Sequence, residues 1–94
     1  MTPERVKEVI SFYRQRLEVF GATPIRFPSD RPLTKDTDAL EHCHWMLDRM
    51  EEFLEQGQLE KAFRWLGFIQ GCLWSVGWFT VDELRHHNSP HPAR

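Results

Sequence analysis

The stretch from Gly57 to Asn88, GQLEKAFRWLGFIQGCLWSVGWFTVDELRHHN, limits what this chain can fold into more than any other segment. Its first part is apolar on nearly every side at helical spacing, and Gly67, Gly71 and Ser75 thread it at four-residue intervals. One stripe, Leu59, Ala62, Phe63, Leu66, Ile69, Leu73 and Val76, suits a core within the chain, and a second face carries Trp65, Phe68 and Cys72. A glycine inside a helix costs about 0.5–1 kcal/mol relative to alanine. Close approach of another helix or a ligand is the usual compensation. A domain of 94 residues has limited capacity to bury such a helix unaided, so the segment predicts self-association. The competing reading is that the first two helices already sit on the glycines.

The rest of the chain reads as helices with clear punctuation. Thr2-Pro3-Glu4 is a helix start, with a hydroxyl cap, proline in the first turn and an acid at the positive end of the dipole. Val6, Val9, Ile10, Tyr13, Leu17 and Phe20 follow as one stripe, and Gly21 is the expected stop. Residues 22–33, ATPIRFPSDRPL, hold three prolines at four-residue spacing and predict a stiff, extended loop. A second helix is expected from Thr34–Asp36 to just before Gly57, with Leu40, Cys43, Leu47, Met50 and Leu54 inward. The third helix spans about Gln58 to Val76 with Gly77 as its stop. Thr80-Val81-Asp82-Glu83 is a capping box for a short fourth helix ending near Asn88, and Ser89–Arg94 reads as a loose tail. The expected fold is therefore all-α in one domain, residues 1–94. A short N-terminal helix and the prolyl loop pack across an antiparallel helical hairpin, a short C-terminal helix follows, and the unit assembles as a homo-oligomer.

Charge and cysteine content narrow the function classes. The net charge of −2 provides no global field for DNA. Residues 1–33 carry six Arg/Lys against four Asp/Glu, whereas residues 34–62 carry three against eight. An anion is therefore expected to meet the N-terminal segment and Arg64 rather than the second helix. Cys43 and Cys72 are expected to be buried thiols. No apolar run reaches the roughly 18 residues of a membrane helix, and the polar N-terminus carries Glu4 and Glu8. A cytoplasmic location is expected, without membrane contact.

Site chemistry is sparse. His42 and His44 flank Cys43, but helical geometry makes the two imidazoles diverge, so no metal site is expected. His86, His87 and His91 read as solvated surface residues, and Asp48, Glu51, Glu52 and Glu55 as the wet face of helix two. With no nucleophile beside a base and no phosphate-cradling loop, the chain reads as a non-enzyme without a cofactor. The better set is Arg26, Arg31 and Arg64 with Phe12, Tyr13 and Phe27. Guanidinium forks match phosphate oxygens, and aromatic rings stack on bases. In the competing reading, Tyr13 belongs to the core and the arginines are solvated.

WLGFIQGCLW at 65–74 followed by GWFTVDELRHHN at 77–88 resembles the C-terminal part of a small phage family, the anti-CBASS cyclic-oligonucleotide sponges. The GATPIRF turn at 21–27 and EHCHWMLDRMEEFLEQGQLEKAFRW at 41–65 extend the resemblance over essentially the whole chain. The resemblance implies a helical protein, homohexameric in the family, acting in the host cytoplasm. It would sequester cyclic dinucleotides such as cyclic GMP–AMP, and in some members cyclic trinucleotides, without cleaving them. It further implies that Tyr13 stacks on a base and Arg26, next to Phe27, meets phosphate. Arg64 with the backbone around Gly21 to Thr23 would serve a trinucleotide site. The rival from another class is a small phage structural or interaction protein whose helical hairpin docks on a larger partner. A third reading is weak nucleic-acid binding through the N-terminal arginines.

Overall fold

Three of the four helices end in the same way, and those endings set the topology. In the computed structural model, which describes residues 1–89, α1 spans Pro3–Phe20, α2 Asp36–Glu55, α3 Leu59–Ser75 and α4 Val81–Asn88. After α2, the Gln58 N–H donates to the Phe53 carbonyl (2.8 Å) and the Gly57 N–H to Leu54 (3.2 Å). After α3, the Trp78 N–H donates to Leu73 (2.9 Å) and the Gly77 N–H to Trp74 (3.0 Å); Ala22 and Gly21 repeat the pattern after α1. The pattern needs a left-handed residue at its centre, and the three positive-φ residues among the described residues are Gly21, Gly57 and Gly77. A side chain there would oppose the turn, so each glycine ends a helix and reverses the chain. The predicted starts are present as well: Thr2 accepts from the Arg5 N–H, and Thr80 and Glu83 form a reciprocal capping box.

No strand occurs among the described residues, and the fold is all-helical. The α2–α3 hairpin is the most extensive packing unit; α1 lies on α2 and α4 on α1. Val6, Val9, Ile10, Tyr13 and Leu17 of α1 meet Cys43, Leu47 and Met50 of α2 and Ala62, Leu66, Ile69 and Leu73 of α3 in one core. Arg14 of α1 reaches across to α2, donating to Glu51 (2.8 Å) and to Asp48. Those two carboxylates are thus half of an inter-helix clamp rather than a purely wet face. Their partial exposure keeps the clamp's contribution modest, about 1 kcal/mol.

The inward stripes differ from expectation at their margins. Phe63 and Phe20 remain exposed, and Leu54 and Val76 are only partly covered, while Met46 and Phe53 join the core. Both cysteines are free; Cys43 is buried, but Cys72 is only half-buried. For the glycines of α3, it is the competing reading that the structure contradicts. A Cβ built at Gly67 or Gly71 would meet nothing within 4 Å, so neither α1 nor α2 sits on them. The chain instead leaves that face open, with Phe68 58% and Trp74 55% exposed beside it. The tail after Ser89, with His91, lies outside the described residues.

Candidate functional site

The prolyl loop is held against α2 by its scarce backbone donors. Proline at 24 and 28 leaves Ile25 and Phe27 as alternate N–H groups facing the helix. The Ile25 N–H donates to the Glu41 carbonyl (3.2 Å), and the Phe27 N–H donates to Nδ1 of His42 (3.0 Å). Two residues further along α2, Nδ1 of the buried His44 donates to the carbonyl of Ala22, just after α1 (2.7 Å). The two histidines therefore carry opposite tautomers. His44 holds its proton on Nδ1, and His42, whose Nδ1 accepts, holds it on Nε2. Divergence along the helix, the reason for discounting them as a metal pair, lets them secure two points of one loop.

Between that loop and the α2–α3 hairpin lies a groove of about 520 Å³. Its floor is aromatic: the His42 ring is 5.4 Å from Trp45, and Trp45 is 6.0 Å from Trp65 at 37°. Phe27 from the loop and Phe68 from α3 complete the sides. The Arg26 guanidinium lies over the Trp45 ring, 5.5 Å from its centroid, and Arg31 lines the loop side. Arg31 is 75% exposed, with only a long 3.8 Å contact to Asp30. Burial, and then the nearby Arg26 charge, lower the His42 pKa, so its imidazole is neutral at neutral pH. The groove combines cations and stackable rings, a combination suited to an anion that carries an aromatic group.

Arg26 and Phe27 are the predicted site residues that this groove brings together. Tyr13 is elsewhere, in the core, with no exposed surface. Its hydroxyl is hydrogen-bonded to Nδ1 of His87 (2.7 Å) and accepts from Gln70 Nε2 (3.1 Å), and burial pushes its pKa up to about 12. Gln70 and Asn88 exchange two amide hydrogen bonds (2.7 and 3.1 Å), and Arg5 Nε donates to the His87 carbonyl (2.8 Å). His87, expected on the surface, is thus half-buried among Phe12, Tyr13 and Phe79 and ties α4 to α1. Tyr13 offers no free face for stacking in this fold.

The remaining predicted residues lie apart from the groove. Gly21 forms the α1 turn and Thr23 is exposed just beyond it, while Arg64 is an exposed side chain paired with Glu60 at 3.1 Å. Sequence reasoning missed His42, Trp45 and Trp65 as site residues. The usable signal was same-face spacing: His42 and Trp45, like Trp65 and Phe68, stand three residues apart on their helices. A second cleft of about 510 Å³ lies over α1, where Arg16 sits 5.7 Å over Trp78 near Phe20. Among the described residues, no three His, Cys, Asp or Glu side chains converge as metal ligands, and no helix is long and apolar enough to cross a membrane. Comparison with protein-family models, curated proteins and solved structures finds no match.

Proposed function

We propose that this protein binds cyclic oligonucleotide second messengers and sequesters them without cleavage, as the resemblance to the phage anti-CBASS sponges implies. The observation that carries the reading is the groove in which Arg26 lies over Trp45 between Phe27 and Trp65. Phosphates would meet Arg26 and Arg31, and a base would stack on the Trp45–Trp65 floor or on the Arg26 guanidinium plane. The stacking role assigned to Tyr13 passes to these tryptophans, because the tyrosine hydroxyl and ring are both engaged inside the core. A second copy of the chain, packed on the open Gly67–Gly71 face of α3, would account for the unoccupied glycine notch. The proposed setting is the cytoplasm of a phage-infected host.

The test is titration calorimetry with cyclic GMP–AMP and cyclic tri-adenylate, with light scattering for mass. The expected result is heat with at least the dinucleotide, intact ligand afterwards and a mass above that of one chain. Hydrolysed ligand would refute the non-enzymatic part. No heat with either compound would remove the sponge reading and favour an interaction protein. That second reading has its own support in the exposed Val19, Phe20, Phe68 and Trp74, which together offer two apolar faces.

A further inference from the structure

The polar side chains of the Arg26–Trp45 groove are nearly all donors. Arg26 and Arg31 donate only, as do the indole N–H groups of Trp45 and Trp65. His42 would ordinarily offer one donor and one acceptor, but its accepting Nδ1 is already taken by the Phe27 N–H (3.0 Å). What remains is Nε2–H, on a ring that lines the groove. No carboxylate or carboxamide side chain lines it, and the Ser29 hydroxyl is its one side-chain oxygen. These side chains therefore call for acceptors on the base of a ligand as well as on its phosphates.

Bases differ sharply in this respect. Guanine shows two acceptors, O6 and N7, side by side on one edge, the arrangement that arginine and similar donors pair with. Adenine keeps N7 but replaces O6 with a donating amine. Seated here, that amine would face donors, leaving both sides unpaired. From this mostly donating set of side chains we infer that the groove selects guanine over adenine, with His42 Nε2–H and an arginine reading the O6/N7 edge. The inference rests on the nucleotide reading above. His42 thereby acts twice, anchoring the loop through one ring nitrogen and contacting the base through the other.

Charge around the imidazole is consistent with a neutral reader. Arg26 and Arg31 face it from the loop, Trp65 and Phe68 are the α3 side chains on the groove, and Asp38 and Glu41 are its nearest acidic neighbours in sequence on α2. Burial and Arg26 both oppose its protonation.

Cyclic di-GMP and cyclic di-AMP share one sugar-phosphate ring and differ only in their bases, so titrating the unmodified protein with both isolates base selection. Cyclic di-GMP is expected to bind about tenfold more tightly, within the range of one good edge contact. Equal affinities, or tighter cyclic di-AMP, would overturn the guanine inference and leave nucleotide binding standing. No heat with these two or with cyclic GMP–AMP would remove both. Nitrogen NMR of the imidazoles supplies an independent check near neutral pH. His42 should be the Nε2–H tautomer and His44 the Nδ1–H tautomer, and a His42 proton on Nδ1 would overturn the assignment.

Discussion

Two clusters in this protein are built from nearly the same residue types and do opposite things. In the core, Tyr13, His87, Gln70 and Arg5 meet Phe12 and Phe79; in the groove, His42, Arg26 and Arg31 meet Phe27, Trp45 and Trp65. The core cluster is closed. The Tyr13 hydroxyl is hydrogen-bonded to both His87 and Gln70, and Gln70 and Asn88 pair with each other. The groove cluster is open: apart from the long Arg31–Asp30 contact, its arginines and the His42 Nε2–H keep donors without an acceptor among the described residues. What separates the structural constellation from the candidate binding one is whether its polar atoms are already satisfied.

Substitution should break this contrast most visibly at Tyr13. Tyr13→Ala removes a fully buried aromatic ring and is expected to cost about 3–5 kcal/mol in chemical denaturation. Tyr13→Phe keeps the ring and should cost only about 1–2 kcal/mol, from the lost hydroxyl partners. A Tyr13→Ala protein of normal stability that had lost ligand binding would reverse the assignment of the two clusters.

Arg26→Ala should show the complementary pattern. Its side chain is exposed over Trp45, so stability should change by less than about 0.5 kcal/mol, while calorimetric affinity for cyclic GMP–AMP should fall about tenfold or more. Arg64→Ala, outside the groove, is the matched control and should leave that affinity within about twofold.

Acid should loosen both clusters. The pKa values of His42 and His87 are each lowered in the fold, chiefly by burial. Below the ordinary histidine value of 6.5 the unfolded chain therefore binds more protons than the folded one. The neutral rings' contribution is complete above 6.5 and is lost as pH falls through that value toward the lower folded pKa values. Thermal melts between about pH 7.5 and about pH 5 should show a falling Tm. Replacing both histidines with glutamine should flatten that slope, and an unchanged slope would contradict the role given to the two buried rings.

The smallest effect is expected on α3. Gly67→Ala and Gly71→Ala place a methyl where nothing lies within 4 Å, so each should stabilise a single chain by about 0.4–1 kcal/mol. If a second copy uses the notch, the same changes should lower the mass seen by light scattering. Raised stability with unchanged mass would place any interface elsewhere.

The helix plan was legible because its signals are local. Thr2 and Thr80 cap, Gly21, Gly57 and Gly77 stop, and periodic apolar residues mark the inward faces. Half of the groove was legible too, since Arg26 and Phe27 stand out in a loop stiffened by proline. Its other half was not, because His42–Trp45 and Trp65–Phe68 become neighbours only when the hairpin closes. Tyr13 misled for the same reason: its partners Gln70 and His87 lie 57 and 74 residues away.

The sequence by itself determined where the helices begin and end, that no strand was needed, and which faces are apolar. Those properties depend on backbone conformation and side-chain periodicity within a few residues. Tertiary structure alone decided which polar atoms are satisfied. A tyrosine and two histidines of the same chemistry became a core network in one place and a loop anchor facing an open groove in the other. Hydrogen-bond satisfaction depends on which distant segments share a site, and the fold brings those segments together.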